Sequence, residues 1–214
     1  MCALIQILDY GSGNLFSIHN SLGKVEARCS VRISSKYEAG KFDGLILPGV
    51  GSFTSAQEVL GDCREQILND VKKEKMPILG ICLGMQLMFE KSEEGKGQGL
   101  GLFSGDVVRF NNEHGVKVPH MGWNKVNLVA PSSDSRLVAD LKSKDWAYFA
   151  HSYYPRPDDN KIVLGETSYG DCTFPSIVQE KNVCGTQYHP EKSGEFGLQL
   201  ISNFAKLVQS YSKR

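Results

Sequence analysis

The chain contains the stretch MPILGICLGMQLMFE at residues 76–90, and this stretch decides which fold we expect. Its first half is apolar and follows a proline, which is typical of a short buried strand. Its second half, residues 85–90, is predicted to be a helix. Cys82 then lies on a sharp turn, with Gly80 and Gly84 on either side. Such glycines let a strand and a helix approach closely, an arrangement that exposes a nucleophile.

A helix that begins beside Cys82 would also favour reactivity of the sulfur. Unpaired N–H groups and the positive end of the helix dipole stabilise a thiolate relative to a thiol. The alternative is an ordinary buried cysteine in a glycine-rich strand, and the G-x-C-x-G pattern alone does not decide between the two. The remaining segments of the chain bear on this choice.

The segments before this stretch alternate between strand and helix patterns. Strands are predicted at residues 3–8, 27–33 and 44–48, and helices at residues 14–24 and 52–75. We expect Ser52 or Thr54 to cap the second helix. The alternation predicts an α/β fold in which helices cover both faces of a parallel sheet.

The second half of the chain has a different pattern, made of short strands and turns. Strands are predicted at residues 106–110, 125–129, 146–153, 162–167, 176–179 and 183–187, with turns at 111–112, 155–159 and 181–182. They are expected to extend the sheet in antiparallel fashion. A last amphipathic helix at residues 193–211 packs on the core. Since no linker or repeat divides the chain, residues 1–214 are expected to form a single domain.

The composition narrows the class of protein. The 24 basic residues balance the 24 acidic ones in a chain of 214 residues, which argues against a nucleic-acid or anionic-membrane partner. The N-terminus has no basic segment typical of a signal peptide, and the longest uncharged stretch is too short to span a bilayer. The six cysteines form no C-x-x-C pair that would indicate zinc. We expect a cytoplasmic protein with reduced thiols.

The motif QYHPE at residues 187–191 supplies a candidate base. Pro190 restricts His189 to an extended backbone, so His189 and Glu191 are expected to point to the same side. One imidazole nitrogen then faces a nucleophile while the other donates to the carboxylate, as in a nucleophile–His–acid triad. A lone His-Pro-Glu is also typical of a surface turn. Among the other histidines, His120 and His151 are better candidates for a site or an interface than for the base.

The motif LPGVGSF at residues 47–53 follows an apolar strand. Gly49 and Gly51 flank Val50, and this flexibility lets backbone N–H groups turn toward an oxyanion. A phosphate-binding loop is the competing interpretation, but no lysine follows at the spacing that such loops require.

Taken in this order, the three motifs resemble those of the class I glutamine amidotransferases, cysteine enzymes that hydrolyse glutamine and pass ammonia to a synthase. Together with DYGSGNL at residues 9–15 and VPHMGWN at residues 118–124, they look like the glutaminase subunits of imidazole glycerol phosphate synthases. The resemblance extends over nearly the whole chain. It implies a flavodoxin-like α/β fold and no metal or organic cofactor.

The resemblance also implies a role for individual residues. Cys82 would attack glutamine and form a thioester, His189 would act as general base and acid, and Glu191 would orient His189. The oxyanion hole would consist of the N–H of Leu83 and one from Gly49, Val50 or Gly51. The residues expected to hold L-glutamine are Gly51, Gln86, Ser152 and Tyr153. The residues expected to face a partner are Tyr10, Asn14, Met121, Trp123, Asn124, Tyr148 and Lys192.

The implied partner is a (β/α)8-barrel synthase subunit in a heterodimer, which uses the ammonia in histidine biosynthesis to form imidazole glycerol phosphate and an aminoimidazole carboxamide ribotide. One alternative is a paralogue that supplies a different barrel, for example one that amidates a nucleotide-linked sugar for a surface glycan. The glutaminase of pyridoxal phosphate synthesis is disfavoured by the run at residues 119–124. The complete triad disfavours a subunit that only binds, and nothing marks the peptide groove of a cysteine peptidase.

Overall fold

A computed structural model describes residues 2–11, 13–25, 29–111, 116–129 and 135–212, with only the backbone described at residue 96. Of the predicted elements, residues 27–28 and residue 112 lie outside these ranges. Within the described ranges, no helix combines the length and hydropathy that crossing a membrane requires.

Thirteen strands and five α-helices make up the described part of the fold. The strands are β1 (Ala3–Leu8), β2 (Cys29–Ser34), β3 (Gly44–Leu47), β4 (Ile78–Ile81), β5 (Lys91–Ser92), β6 (Gly95–Gln98), β7 (Gly105–Arg109), β8 (His120–Leu128), β9 (Lys144–His151), β10 (Tyr153–Pro157), β11 (Val163–Tyr169), β12 (Cys172–Glu180) and β13 (Val183–Thr186). The helices are α1 (Leu15–Lys24), α2 (Phe53–Gly61), α3 (Arg64–Lys72), α4 (Leu83–Gln86) and α5 (Gly194–Tyr211).

The larger sheet has nine strands in the order β2-β1-β3-β4-β13-β12-β11-β8-β9. The strands from β2 to β13 in this order pair in parallel, and those from β13 to β9 pair antiparallel. The parallel part has the strand order of the flavodoxin-like folds. The prediction of a parallel α/β sheet with an antiparallel extension is therefore confirmed.

Helices cover the two faces of this sheet, and each face has its own apolar core. Ile18 of α1 and Phe204 of α5 pack with Ile7 of β1 on one face. Phe53 of α2 and Ile67 of α3 pack with buried residues of β3 and β4 on the other face. The apolar runs of the parallel strands thus have neighbours on both sides, which is why they read as continuously hydrophobic.

The helix predicted at residues 52–75 is two helices, α2 and α3. Ser52 caps α2, with its hydroxyl accepting a hydrogen bond from the N–H of Ser55 at 3.2 Å. The break falls after Gly61, a poor helix former, where Cys63 leaves the helical conformation with φ −116°. Since the apolar spacing continues across the break, the sequence pattern alone did not reveal it.

The helix predicted at residues 85–90 is also different in the structure. α4 is only four residues long and begins directly after Cys82. Beyond it the chain continues through i→i−3 hydrogen bonds, from Met88 to Met85 and from Phe89 to Gln86. A tight turn replaces the expected regular helix, so the dipole beside Cys82 is that of a very short segment.

A second sheet, in the order β10-β7-β5-β6, was not predicted. Residues 92–98 contribute to the hairpin of β5 and β6. The prediction of a turn at residues 155–159 is wrong for its first part, because Pro155 and Pro157 belong to β10. β10 lies at the edge of its sheet, where proline is tolerated because one side of the strand needs no donor.

The strand predicted at residues 146–153 divides at Ser152. β9 ends at His151 in the larger sheet, and β10 begins at Tyr153 in the smaller one. β8 begins at His120, five residues earlier than predicted. The crossing at Ser152 brings the second sheet next to the carboxyl end of β4.

Candidate active site

Cys82 occupies the predicted turn between β4 and α4, with φ at +52°. Its N–H donates to the carbonyl oxygen of Thr186 on β13 at 2.7 Å, which holds the turn against the neighbouring strand. We call this turn, residues 80–84, the elbow. It is packed so tightly that a Cβ at Gly84 would overlap the carbonyl oxygen of Leu47. Left-handed backbone is uncommon for a non-glycine residue and is often found at functional sites.

His189 and Glu191 form a buried pair after β13. Nδ1 of His189 lies 3.0 Å from Oε1 of Glu191, and the side chains are 3% and 1% exposed. His189 is extended as predicted, but Pro190–Lys192 forms a 3₁₀ turn rather than continuing extended. The carboxylate still reaches the imidazole. The N–H of His189 donates to the carbonyl of Tyr148 at 2.9 Å, which holds the backbone of His189 against β9.

The remaining nitrogen of His189, Nε2, is buried and has no hydrogen-bond partner in the described part of the chain. Burial alone would lower the pKa of His189, but the negative charges of Cys82 and Glu191 outweigh it and hold this pKa well above its ordinary value. When the sulfur is charged, the protonated form of His189 is therefore favoured.

Gln187 also contacts Cys82, although the sequence did not single it out. Its Nε2 lies 3.5 Å from the Cys82 sulfur, and its Oε1 lies 3.2 Å from Nε2 of Gln86. Ile81 pairs with Thr186 in the parallel register, so Cys82 and Gln187 are the next residues on neighbouring strands. The available signal was the two-residue spacing from His189, which places both side chains on the same side of an extended segment.

A cavity of about 300 Å³ opens over Cys82. It brings together residues from both sheets, including the four predicted to hold a substrate. The lining residues are Val50, Gly51, Cys82, Leu83, Gln86, Glu94, Pro119, Met121, Ala150, His151, Ser152 and Tyr153. His189 and Glu191 are not among the residues that line the cavity.

The predicted oxyanion donors lie on either side of the elbow. Leu83 is the first residue of α4, so its N–H has no intrahelical partner. Val50 and Gly51 line the cavity, and Gly51 has φ +129°, a conformation that favours glycine. Gly49 packs against the elbow, where an added Cβ would lie 2.6 Å from the nitrogen of Gly84. The two segments thus lie next to each other at the cavity.

Comparison with known proteins agrees with this geometry. The family model of the class-I glutamine amidotransferases matches residues 6–208.

The chain belongs to the class-I glutamine amidotransferase family.

Two relatives of this amidotransferase are named imidazole glycerol phosphate synthase subunit HisH. The protein of Methanocaldococcus jannaschii is 45% identical over 207 residues, 96% of this chain and 100% of its own length. The protein of Trichodesmium erythraeum is 42% identical over 205 residues, 95% of this chain and 94% of its own length. The solved structure of PurLQS from Thermotoga maritima has a TM-score of 0.76 at 16% identity, covering 96% of this chain and 99% of that chain, and shows that the fold is shared.

Two buried histidines are in contact beside the cavity of this amidotransferase, and one of them, His151, lines it. Nδ1 of His120 lies 3.0 Å from Nε2 of His151, whose Nδ1 lies 2.8 Å from the carbonyl oxygen of Tyr153. Nε2 of His120 lies 3.2 Å from Nδ2 of Asn124. The Tyr153 carbonyl only accepts and the Asn124 amide nitrogen only donates, so both rings are neutral and all donors point from Asn124 toward Tyr153. Burial lowers the pKa of His120 to about 4 and that of His151 to about 3.

The residues expected to face a partner are unequally accessible. Met121 and Trp123 on β8 are 65% and 55% exposed, and the Trp123 ring meets that of Tyr148 on β9 edge-on at 6.1 Å. Lys192 places its Nζ 5.5 Å from the centre of the Tyr148 ring. These four side chains form one group beside the cavity, in which only Tyr148 is half-buried, and we call this group the β8–β9 patch.

The other three residues of that prediction lie elsewhere. Asn14 is exposed and caps α1, where its side chain accepts from the N–H of Ser17. Asn124 is partly buried and turned toward His120. Tyr10 is buried, and burial together with the charge of Cys82 raises the pKa of its hydroxyl well above the ordinary value. Tyr10 is part of the core in this structure rather than of the exposed surface.

Proposed function

We propose that this chain hydrolyses L-glutamine to glutamate and ammonia with Cys82 as nucleophile, His189 as general base and acid, and Glu191 as the residue that orients His189. One observation carries the proposal: Cys82 is held in left-handed backbone at the edge of a cavity, next to a buried His189–Glu191 pair. Membership of the glutamine amidotransferase family supplies the substrate class.

In the proposed acylation step, the Cys82 sulfur attacks the side-chain amide carbon of glutamine. The carbonyl oxygen becomes an oxyanion that accepts from the N–H of Leu83 and from an N–H of the Gly49–Val50–Gly51 segment. The imidazolium of His189 then gives its proton to the amide nitrogen. The C–N bond breaks, ammonia leaves, and a γ-glutamyl thioester remains on Cys82.

In the proposed deacylation step, His189 takes a proton from a water molecule that attacks the thioester carbon. The C–S bond breaks, the thiolate leaves and glutamate is released. Glu191 stabilises the imidazolium in both steps, and its 3.0 Å contact with Nδ1 keeps Nε2 available for the reacting atoms. Gly51, Gln86, Ser152 and Tyr153 would hold the glutamine, since all four line the cavity.

We further propose that the chain works as one subunit of imidazole glycerol phosphate synthase, in a heterodimer with a (β/α)8-barrel subunit. That subunit would use the ammonia in histidine biosynthesis to form imidazole glycerol phosphate and aminoimidazole carboxamide ribotide. The names of the relatives support this partner. The exposed β8–β9 patch beside the cavity supports docking there. None of the six cysteines, all within the described residues, forms a disulfide, which supports a reducing compartment such as the cytoplasm.

The test is to purify the chain with the barrel subunit encoded in the same genome and to follow glutamate release, with mass spectrometry of the trapped thioester on Cys82. Cys82→Ala is expected to lower the rate of glutamine-dependent synthesis by roughly a thousandfold or more, and to leave the rate of ammonia-dependent synthesis unchanged. Cys184→Ala, at a buried core cysteine, is the matched control with nearly full activity. Glutamine hydrolysis by Cys82→Ala would contradict the assignment. Glutaminase activity without imidazole glycerol phosphate formation would instead favour a paralogue with a different barrel partner.

A further inference from the structure

We propose that Gln187 is a further catalytic residue, whose side-chain amide donates a hydrogen bond to the Cys82 sulfur and stabilises it as a thiolate. The inference rests on the proposed role of Cys82 as nucleophile. Gln187 lies beyond the triad of Cys82, His189 and Glu191 and does not line the cavity.

The contact is direct and shielded from water. Nε2 of Gln187 lies 3.5 Å from the Cys82 sulfur, and the residue is fully buried. The N–H of Gln187 donates to the carbonyl of Ser176 at 3.0 Å, which fixes the backbone on the side of β12. A hydrogen bond to a charged group contributes more than one between neutral groups, and a buried N–H without an acceptor is costly.

The orientation of the Gln187 amide is determined by its neighbour Gln86. The group of Gln86 that lies 2.8 Å from the Tyr153 carbonyl must be its NH₂, since a carbonyl oxygen only accepts. The same NH₂ lies 3.2 Å from Gln187 and donates to its Oε1. The oxygen of Gln187 therefore faces Gln86, and its nitrogen faces the sulfur.

The sulfur needs such a donor because its other surroundings provide little for a thiolate. α4 has only four residues, so its dipole is small. The carbonyl oxygen of Ala150 lies 3.8 Å from the sulfur. A carbonyl accepts from the thiol and repels the thiolate. Gln187 and His189 are thus the two side chains that favour the charged form, one as a neutral donor and the other as a cation.

The same hydrogen bond acts in both steps of the proposed reaction. It keeps the sulfur charged before attack on glutamine, and it stabilises the leaving thiolate when the C–S bond of the thioester breaks. While the thioester is intact the sulfur is uncharged and the hydrogen bond is weak. The stabilisation therefore differs between states, which is what allows it to affect the rate.

The experiment measures alkylation of Cys82 by iodoacetamide as a function of pH in the isolated chain, with peptide mass spectrometry to separate Cys82 from the other five cysteines. Gln187→Met keeps the volume but removes the donor. We expect the pH of half-maximal alkylation to rise by about one unit, and kcat for glutamine to fall about tenfold with KM little changed. Gln179→Met, a glutamine on β12 outside the site, is the matched control and is expected to leave both readouts unchanged.

Gln187→Glu is the second variant and protects the test against misfolding of Gln187→Met, since it is nearly isosteric with the native residue. It replaces the donor by an acceptor, so the alkylation curve is expected to shift further upward than in Gln187→Met. An unshifted curve in either folded variant would overturn the proposal. Because alkylation requires no glutamine, this outcome is distinguishable from failure of the proposed glutaminase activity itself.

Discussion

His120 and His151 face each other across β8 and β9, with 3.0 Å between Nδ1 of His120 and Nε2 of His151. Their hydrogen bonds require both rings to be neutral, since His120 accepts from Asn124 and His151 accepts from His120. The Tyr153 carbonyl at the end of this series also accepts from Gln86. One wall of the cavity thus depends on two uncharged histidines.

We expect acid to destabilise the fold through this pair. The pKa values of about 4 for His120 and about 3 for His151 lie below the ordinary value of about 6.5, so below pH 6.5 the unfolded chain binds protons that the folded chain does not. The free energy of unfolding should fall by up to about 1.4 kcal/mol per pH unit for each histidine between pH 6 and 4.5.

Urea unfolding at several pH values measures this slope, and His151→Gln should reduce it. His189 does not contribute on the acid side. The pKa of His189 is raised in the folded chain. The stabilisation from its charge is therefore fully present at pH values below the ordinary pKa, and it is lost only as the pH rises through the raised pKa. If the unfolding free energy of His151→Gln falls as steeply with decreasing pH as that of the native chain, the histidine pair is not the source of the acid destabilisation.

We expect Gly84→Ala to destabilise the fold strongly, because its Cβ would overlap the backbone of Leu47 and neither backbone segment has room to move. A loss of about 3 kcal/mol or more in unfolding free energy is the expected size for such overpacking. Gly23→Ala in α1 is the matched control, since an added Cβ meets nothing within 4 Å there, and it should stabilise by about 0.5 to 1 kcal/mol. Equal effects of the two substitutions would refute this account of the elbow.

We expect Trp123→Ala to weaken binding of the proposed barrel partner by roughly 2 kcal/mol, because exposed aromatic side chains often dominate interface energy. Since Trp123 is 55% exposed, thermal stability of the isolated chain should change little. Trp146→Ala is the control, because this tryptophan is similarly exposed. Trp146 lies on β9 opposite Lys125, farther along the paired strands β8 and β9 than Trp123. Unchanged affinity with reduced stability would assign Trp123 to the fold rather than to the interface.

We expect the isolated chain to be a slow glutaminase that its partner activates. The glycines around Val50 permit more than one orientation of the Gly49–Val50 peptide, and a missing oxyanion donor lowers the rate by roughly a hundredfold to a thousandfold. Turnover of the isolated chain should be lower than that of the complex with its synthase ligand by about this factor. Equal rates would reject gating by this segment while leaving the triad proposal untouched.

The sequence predicted the parallel half of the fold well because its central strands are buried on both faces and its first strands alternate with helical patterns. The turn at Cys82 and the spacing of His189 and Glu191 are local features, so they can be recognised from neighbouring residues in the sequence. The second sheet escaped prediction because β5 has only two residues, β6 contains glycine and β10 contains proline, although β7 overlaps the strand predicted at residues 106–110. Their pairing depends on tertiary neighbours rather than on their own pattern.

The pattern along the chain did not predict the contacts that join distant segments of the site. Gln187 meets Cys82 across 105 positions of the chain, and His120 meets His151 across 31. No periodicity connects such positions, since the sheet order brings them together. The extent of α4 was overestimated because the apolar run continues to Phe89, whereas the chain tightens into i→i−3 hydrogen bonds after Gln86.

The register of β4 and β13 has a consequence for how the active centre responds to heat. Ile81 and Thr186 are paired in the sheet. The proposed nucleophile and the segment that carries the proposed base therefore follow directly after paired residues of neighbouring strands, with no hinge between them. Interstrand spacing of about 4.8 Å sets their distance. Pulling them apart would require opening the centre of the sheet, which is the last part of such folds to exchange its amide protons. The catalytic centre should therefore persist until the fold melts as a whole.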